Sequence, residues 1–210
     1  MSSNVPRDAI LVDLDGVLRR WPATDEDVEA RHGLPPGAIR AAAFSPDRLR
    51  GAIRGEIPDA EWRRGIAEAL GQRHPRVDAF AAVRAWSEGP GEIARATLSL
   101  LLRRAPPNGL VLFTNATTRL GDDLEALGVR GVFRAIVNSA EVGAAKPEAA
   151  MFRAGIRACG GDARRVAYVD DDPGNVEAGR AAGLASHRYR DDEALERFLV
   201  GALAATRSRR

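Results

Sequence analysis

Short apolar runs alternate with helix-like segments along most of the chain. The runs that predict β-strands cover residues 9–14, 110–113, 135–137, 166–169 and, more weakly, 185–189. Helical spacing of apolar residues, or helix boundary residues, mark the segments 92–104, 120–127, 148–159, 173–182 and 191–203. Strands that alternate with helices are typical of a parallel sheet covered on both faces. The pattern therefore predicts an α/β fold with a Rossmann-like parallel sheet.

The interval from residue 18 to residue 89 breaks this alternation. It contains no convincing strand, and its helix-like pieces at 35–43, 46–53, 59–70 and 77–86 are separated by prolines. We therefore expect an all-helical domain over residues 18–89, inserted into an α/β core formed by residues 1–17 and 90–210.

Composition narrows the class of protein. With 210 residues, 45% hydrophobic and 29% charged, the chain can bury a core and a small second domain. A net charge of only +2 argues against a nucleic-acid partner, since the clearest basic cluster is the terminal stretch 207–210. No apolar run approaches the roughly 20 residues that span a bilayer, and residues 1–7 do not resemble a signal peptide. We expect a cytoplasmic monomer or weak homodimer without a membrane partner, and one cysteine allows no internal disulfide.

Two carboxylates interrupt the first apolar run. Asp13 directly follows the apolar residues Ile10, Leu11 and Val12, and Leu14 separates it from Asp15. Residues two apart on a strand face the same side, so two like charges would lie close together where hydration is poor. The arrangement predicts a cation between them.

Polar side chains follow all four of the stronger apolar runs. In chain order they are Asp13 and Asp15, Thr114 and Asn115, Lys146 after a short loop, and Asp170 and Asp171. Ligands of open parallel sheets bind beyond the carboxyl ends of the strands, so we expect these groups to share one site. Each has an ordinary alternative, as an acidic turn, a helix cap or a solvated loop. Their convergence on one sheet edge favours a binding site.

Lys146 is the only lysine in a chain that has 30 arginines. Lysine is a compact point charge, whereas arginine is a broad planar fork. The single lysine indicates either a site that is too narrow for a guanidinium or a chance exception to the arginine-rich composition. The sequence leaves both interpretations open.

These residue types suit phosphoryl chemistry. Converging carboxylates need a hard cation, and ligation by oxygen alone favours Mg²⁺. An aspartate can attack phosphorus and form an aspartyl-phosphate. An acid two residues away can protonate the leaving oxygen and later deprotonate the attacking water. Hydroxyl, amide and ammonium groups can hold the phosphoryl oxygens.

Four motifs resemble those of the haloacid-dehalogenase-like (HAD) hydrolase superfamily in order and spacing. They are DLDGV at 13–17, TN at 114–115, KP at 146–147 and VDDDPGNVEAGRAAG at 169–183. The insert resembles the helical cap of the subgroup that includes small-metabolite phosphatases and β-phosphoglucomutase. The resemblance implies that Asp13 is the nucleophile and an Mg²⁺ ligand. It makes Asp15 the acid/base, with its backbone carbonyl on the metal, and Thr114, Asn115 and Lys146 the phosphate-binding groups.

The resemblance assigns the last acidic pair less closely. Asp171 matches the family's metal ligand most directly, and Asp170 is either a ligand or the partner of Lys146. Arg19 and Trp21 follow the first motif, and we expect them to contact the non-phosphate part of the substrate. The alternative is that the arginine is solvated and the tryptophan packs inside the insert.

The expected function is therefore Mg²⁺-dependent hydrolysis of a small phosphorylated metabolite. A phosphomutase of the β-phosphoglucomutase type would use the same core but needs extra phosphate-binding groups in the insert. A haloacid dehalogenase attacks carbon without a metal and lacks the acid two residues after the nucleophile, so Asp15 argues against it. A non-catalytic binding protein would have lost a catalytic group, and none is missing.

Overall fold

A computed structural model of the protein describes residues 8–22 and 24–203, so the basic stretch 207–210 lies outside the described residues. The strands in this part of the chain are β1 (Ala9–Val12), β2 (Arg19–Arg20), β3 (Glu92–Ile93), β4 (Leu110–Thr114), β5 (Ala135–Asn138), β6 (Val166–Asp170) and β7 (Ala185–Arg188). Five of them form one sheet in the order β5-β4-β1-β6-β7, and every pair is parallel. The predicted parallel α/β sheet is confirmed, and its strands lie within two residues of the predicted runs.

The α-helices of the described residues include six that belong to the sheet-containing part of the chain. These are α6 (Arg95–Arg104), α7 (Leu120–Ala126), α8 (Ser139–Val142), α9 (Ala149–Ala158), α10 (Pro173–Ala181) and α11 (Asp192–Leu203). They cover two hydrophobic layers, one on each face of the sheet. Alternate residues of β1 face opposite sides, so Ile10 and Val12 pack in one layer and Ala9 and Leu11 in the other. Such a strand, buried on both faces, reads as a continuous apolar run.

Five helices lie between β2 and β3 in the described part of the chain. They are α1 (Asp25–His32), α2 (Ala38–Ala43), α3 (Pro46–Ile53), α4 (Asp59–Arg73) and α5 (Ala79–Trp86). They surround a hydrophobic cluster of their own, which includes Ile39, Trp62, Ile66 and Leu70. We call this segment the helical insert. Its predicted bounds, residues 18–89, stay a prediction.

Contacts at its base attach the helical insert to the sheet-containing core. Arg54 Nη2 lies 2.5 Å from Glu148 Oε2, and Thr117 Oγ1 donates to Asp59 Oδ1 at 2.8 Å. The antiparallel β2–β3 pair joins the two chain segments that enter and leave the insert. We predicted no strand over residues 18–89, where β2 lies, and a helix-like segment from residue 92, where β3 lies and α6 begins only at Arg95. Both predictions were wrong at these positions, because a two-residue strand is too short to produce a periodic signal. No helix among the described residues is both long and apolar enough to span a membrane.

Candidate active site

Three adjacent strands end at the same level and form the floor of a cavity. The register of β1 with β4 and β6 places Asp13, Phe113 and Asp170 side by side, one residue beyond the paired residues. The cavity above them has a volume of about 620 Å³, a size that suits a small-molecule ligand. Its walls include six of the predicted site residues: Asp13, Asp15, Thr114, Asn115, Lys146 and Asp171.

Lys146 connects all three strand ends through its ammonium group. Nζ lies 2.9 Å from Asp13 Oδ1 and 2.7 Å from Asp170 Oδ2, and it donates to the Phe113 carbonyl oxygen at 3.2 Å. The side chain is only 1% exposed. Burial lowers the pKa of Lys146, but the charges of Asp13 and Asp170 outweigh it and raise the pKa overall. The lone lysine is therefore a buried ammonium group with acceptors at three strand ends.

Asn115 holds the backbone of Lys146. Its amide oxygen accepts from the Lys146 N–H at 2.8 Å, and its amide nitrogen donates to the Lys146 carbonyl oxygen at 2.9 Å. These two hydrogen bonds use both the oxygen and the nitrogen of the Asn115 amide group. Asn115 lines the cavity, but in this structure its side chain positions the lysine, and phosphate binding by Asn115 stays a prediction.

The protein engages one carboxylate oxygen of Asp13, which lines the cavity. Both the Leu14 N–H, at 2.8 Å, and the Lys146 ammonium contact Oδ1. The residue is 7% exposed. Burial raises the pKa of Asp13 to about 6, with a further contribution from the Asp170 charge, although Lys146 opposes both. A nearby cation would remove this penalty, so the side chain has the properties of a metal ligand and of a desolvated nucleophile.

Asp170 is fully buried, and both of its carboxylate oxygens accept hydrogen bonds from protein groups. Oδ2 accepts from the Tyr168 hydroxyl at 2.5 Å as well as from Lys146, and Oδ1 accepts from the Asp172 N–H at 2.9 Å. Asn175 Nδ2 lies 3.3 Å from Oδ1. Of the two roles that the sequence left open for Asp170, these contacts favour that of partner to Lys146.

Asp171 completes a cluster of acidic groups. One carboxylate oxygen each from Asp13, Asp170 and Asp171 lie within 4.8 Å of one another. Burial raises the pKa of Asp171, and so does the neighbouring Asp170 charge. A Cβ atom on Gly16 would lie 2.3 Å from Asp171 Oδ2, so only glycine lets the loop after β1 approach this carboxylate. Three carboxylates carry more negative charge than Lys146 offsets, and such a close set of oxygen donors fits Mg²⁺.

Thr114 ends β4 with a hydroxyl that has no partner among the described residues. Its Oγ1 atom is buried without a hydrogen bond, although the residue lines the cavity. A buried hydroxyl without a partner is unfavourable, so a ligand oxygen would stabilise it. This observation is consistent with the predicted contact between Thr114 and phosphate.

Asp15 is held by the two residues that we expected to contact substrate. Arg19 donates to both Asp15 oxygens, from Nε at 2.8 Å and Nη2 at 2.7 Å, and Trp21 Nε1 donates to Oδ1 at 2.9 Å. The Arg19 side chain is 6% exposed and also contacts Asp123 at 3.1 Å. Arg19 is therefore neither solvated nor free to bind another anion. Trp21 is 46% exposed beside Asp15 and does not belong to the core of the helical insert.

Sequence reasoning missed three side chains near the site. Asn175 and Tyr168 both contact Asp170, and Arg40 of α2 lines the cavity from the helical insert. A signal existed for the first two. Tyr168 precedes Asp170 by two residues on one strand face, and Asn175 lies in the first turn of a helix that starts at the acidic motif. Arg40 gave no signal, because nothing in the sequence distinguishes it from the other arginines.

Comparisons with known proteins give the family and the fold of the chain. A family model described as haloacid dehalogenase-like hydrolase matches residues 7–183. Among solved structures, the HAD family enzyme BT-2542 from Bacteroides thetaiotaomicron is 21% identical, with a TM-score of 0.69 over 89% of this chain and 95% of that chain. The same enzyme, in complex with magnesium and inorganic phosphate, aligns with a TM-score of 0.67 at 22% identity, over 88% of this chain and 94% of that chain.

Other similar structures include a different activity. The L-2-haloacid dehalogenase from Xanthobacter autotrophicus, with chloropropionic acid covalently bound, is 17% identical, with a TM-score of 0.62 over 93% of this chain and 83% of that chain. At such identities the likeness shows the fold alone. Comparison with curated protein sequences gives no match.

Proposed function

We propose a function for this chain, which belongs to the haloacid dehalogenase-like hydrolase family. The proposed function is that of a Mg²⁺-dependent phosphatase that acts on a small phosphorylated metabolite. The observation that carries the proposal is the contact of one buried ammonium, Lys146, with Asp13 at the edge of a three-carboxylate cluster. A cation site beside a desolvated carboxylate is the environment that nucleophilic attack on a phosphate requires.

The proposed reaction has two displacements at phosphorus. In the first, an oxygen of Asp13 bonds to phosphorus and the bond to the leaving oxygen breaks. Asp15, protonated once it is released from Arg19, donates its proton to that oxygen. In the second, water bonds to phosphorus and gives a proton to Asp15 while the bond to Asp13 breaks. The products are an alcohol and inorganic phosphate, and both aspartates return to their starting states.

Neighbouring groups would stabilise the charge that develops. Lys146 and the free Thr114 hydroxyl lie where they can meet phosphoryl oxygens next to Asp13. When bound, Mg²⁺ would be held by Asp13 and Asp171 and would offset negative charge on the nucleophile and the phosphoryl group. Asp170 would keep Lys146 in place.

The first test is metal dependence. Phosphate release from 4-nitrophenyl phosphate should stop in EDTA and return with Mg²⁺, while Ca²⁺ should support it poorly because its larger, looser coordination misplaces the reacting groups. Full activity without metal would contradict the proposal. Halide release from a 2-haloacid under those conditions would instead favour the dehalogenase reaction.

A second readout of metal binding needs no turnover. At a concentration about 100 times its Kd, Mg²⁺ should stabilise the fold by about 2.7 kcal/mol through mass action. Burial raises the pKa of Asp13 to about 6, so the carboxyl loses its proton, and becomes a ligand, only as the pH rises through that value. The Mg²⁺-induced rise in Tm should therefore be larger well above pH 6 than below it. Equal rises on both sides would exclude Asp13 as a ligand.

Asp15→Asn tests the acid/base role. The variant should slow hydrolysis of an alkyl phosphate by about 10²- to 10⁴-fold, because the leaving alkoxide then departs without a proton. The loss should be smaller for 4-nitrophenyl phosphate, whose leaving group needs little protonation. Asp47→Asn, which removes an exposed carboxylate in the helical insert, is the matched control. Equal losses on the two substrates would rule out proton donation by Asp15.

A further inference from the structure

The helical insert contributes a cation to the wall of the cavity. Arg40 of α2 is the one residue of the insert's described helices that lines the space above Asp13 and Lys146. The cavity, at about 620 Å³, has room for more than a phosphoryl group. Arg40 therefore lies where it can contact the part of the substrate that leaves as the alcohol.

The Arg40 guanidinium has no short ion pair among the described residues. Its Nη1 atom lies 3.9 Å from Asp25 Oδ2, and the side chain is 72% exposed. Arg19, by contrast, is buried with two bonds to Asp15, and Lys146 is neutralised by two carboxylates. Among the described residues, Arg40 and Lys146 are the two cations that line the cavity, and only the charge of Arg40 is not offset by a close carboxylate.

Two aromatic side chains of the helical insert, Phe44 and Trp86, position Arg40. Its guanidinium carbon lies 5.2 Å from the centroid of the Phe44 ring. Trp86 orders both neighbours of the arginine, because its ring packs edge-on against Phe44, with centroids 6.5 Å apart, and its Nε1 donates to Asp25 at 2.8 Å. A guanidinium held over a ring by a cation–π contact can still donate its N–H groups to an anion. This arrangement differs from that of an arginine surrounded only by solvent.

We propose that Arg40 binds a second anionic group of the substrate. The substrate class is then a phosphate monoester that also carries a carboxylate or a second phosphate, both of which match the planar fork of arginine. This inference rests on the proposed phosphatase function and narrows its substrate. The phosphate that is cleaved lies at Asp13, and the second anion lies on the side of the helical insert.

Matched substrate pairs test the inference. 3-Phosphoglycerate and glycerol 3-phosphate differ by a carboxylate, and fructose 1,6-bisphosphate and fructose 6-phosphate differ by a phosphate. In at least one pair, wild-type protein with Mg²⁺ should show a higher kcat/KM for the member that carries the second anionic group. The pair that shows this preference identifies the anion as a carboxylate or a phosphate. Arg40→Ala should reduce that preference by about 10- to 100-fold, the usual loss when a charged hydrogen-bond donor is removed. Arg40→Lys should restore part of it.

Arg64→Ala is the matched control, since Arg64 is an exposed arginine of α4 that does not line the cavity. This control should keep the wild-type preference. A preference that is absent from wild type, or that survives in Arg40→Ala, would overturn the inference. Phosphate release from 4-nitrophenyl phosphate by wild type shows in the same assay whether the phosphatase function itself holds.

A binding measurement decides the inference even without turnover. Calorimetric titration of Asp13→Asn with Mg²⁺ and each member of a pair should give a lower Kd for the compound that carries the second anionic group. Adding Arg40→Ala to this variant should remove the difference. Equal affinities for both members before that substitution would refute the second anion site.

Discussion

Replacing Asp13 with asparagine is expected to reduce turnover by on the order of 10⁴-fold or more, as the loss of a covalent nucleophile does in other enzymes. The amide is no nucleophile, so no phosphoryl group should be found on the protein. Mass spectrometry after rapid quenching of a reaction with 4-nitrophenyl phosphate measures this directly. Wild type, and Asp15→Asn with the same good leaving group, should show a labelled Asp13. Near-normal turnover in Asp13→Asn would contradict covalent catalysis.

The structure also predicts that this variant stays folded. Asparagine has nearly the same shape and can keep the bond from the Leu14 N–H. Burial raises the pKa of Asp13, which means that the ionised carboxylate is unfavourable in the metal-free fold at neutral pH. The neutral amide removes that penalty, while Lys146 retains Asp170 as its partner. The metal-free variant should therefore unfold at a temperature no lower than wild type, so a lost activity cannot be assigned to unfolding.

The sheet and its strand-end groups could be predicted from the sequence because each depends on local patterns. A strand buried on both faces is a continuous apolar run, and parallel pairing brings the residues after such runs to one edge. Asp13 and Asp170 lie side by side because β1 and β6 pair in register, and Lys146 bridges them. The common edge of Asp13 and Asp170 followed from the alternation of strands and helices, which predicts a parallel sheet.

The contacts of individual side chains could not be predicted in the same way. Asn115 turns to the backbone of Lys146, and Arg19 turns to Asp15, through choices of rotamer that depend on neighbours distant in sequence. Arg40 reaches the cavity only because of how α2 packs within the helical insert. Helix α1, an eight-residue helix with Val28 as its buried apolar side chain, left no apolar period to detect.

Lys146→Arg is expected to lower kcat/KM by about 10²- to 10³-fold, although it preserves the charge. The ammonium fits among the Phe113 carbonyl and the carboxylates of Asp13 and Asp170 at 2.7–3.2 Å, with a side chain that is 1% exposed. A guanidinium is too broad for a pocket that holds a single nitrogen, so it would displace the nucleophile. Loss of one positioned electrostatic group typically costs about 3–4 kcal/mol of transition-state stabilisation.

Lys146→Met separates the catalytic role of the charge from its structural role. Without the ammonium, Asp13 and Asp170 face each other uncompensated, and removal of one partner from a buried ion pair typically destabilises a fold by about 3–5 kcal/mol. Urea unfolding should show this loss, and Mg²⁺ should recover part of it by supplying a cation to the same carboxylates. Arginine in place of Lys146 should be less damaging to stability than methionine yet similarly damaging to activity. If Lys146→Arg kept wild-type kcat/KM, charge alone would suffice, and the single lysine among 30 arginines would be an accident of composition.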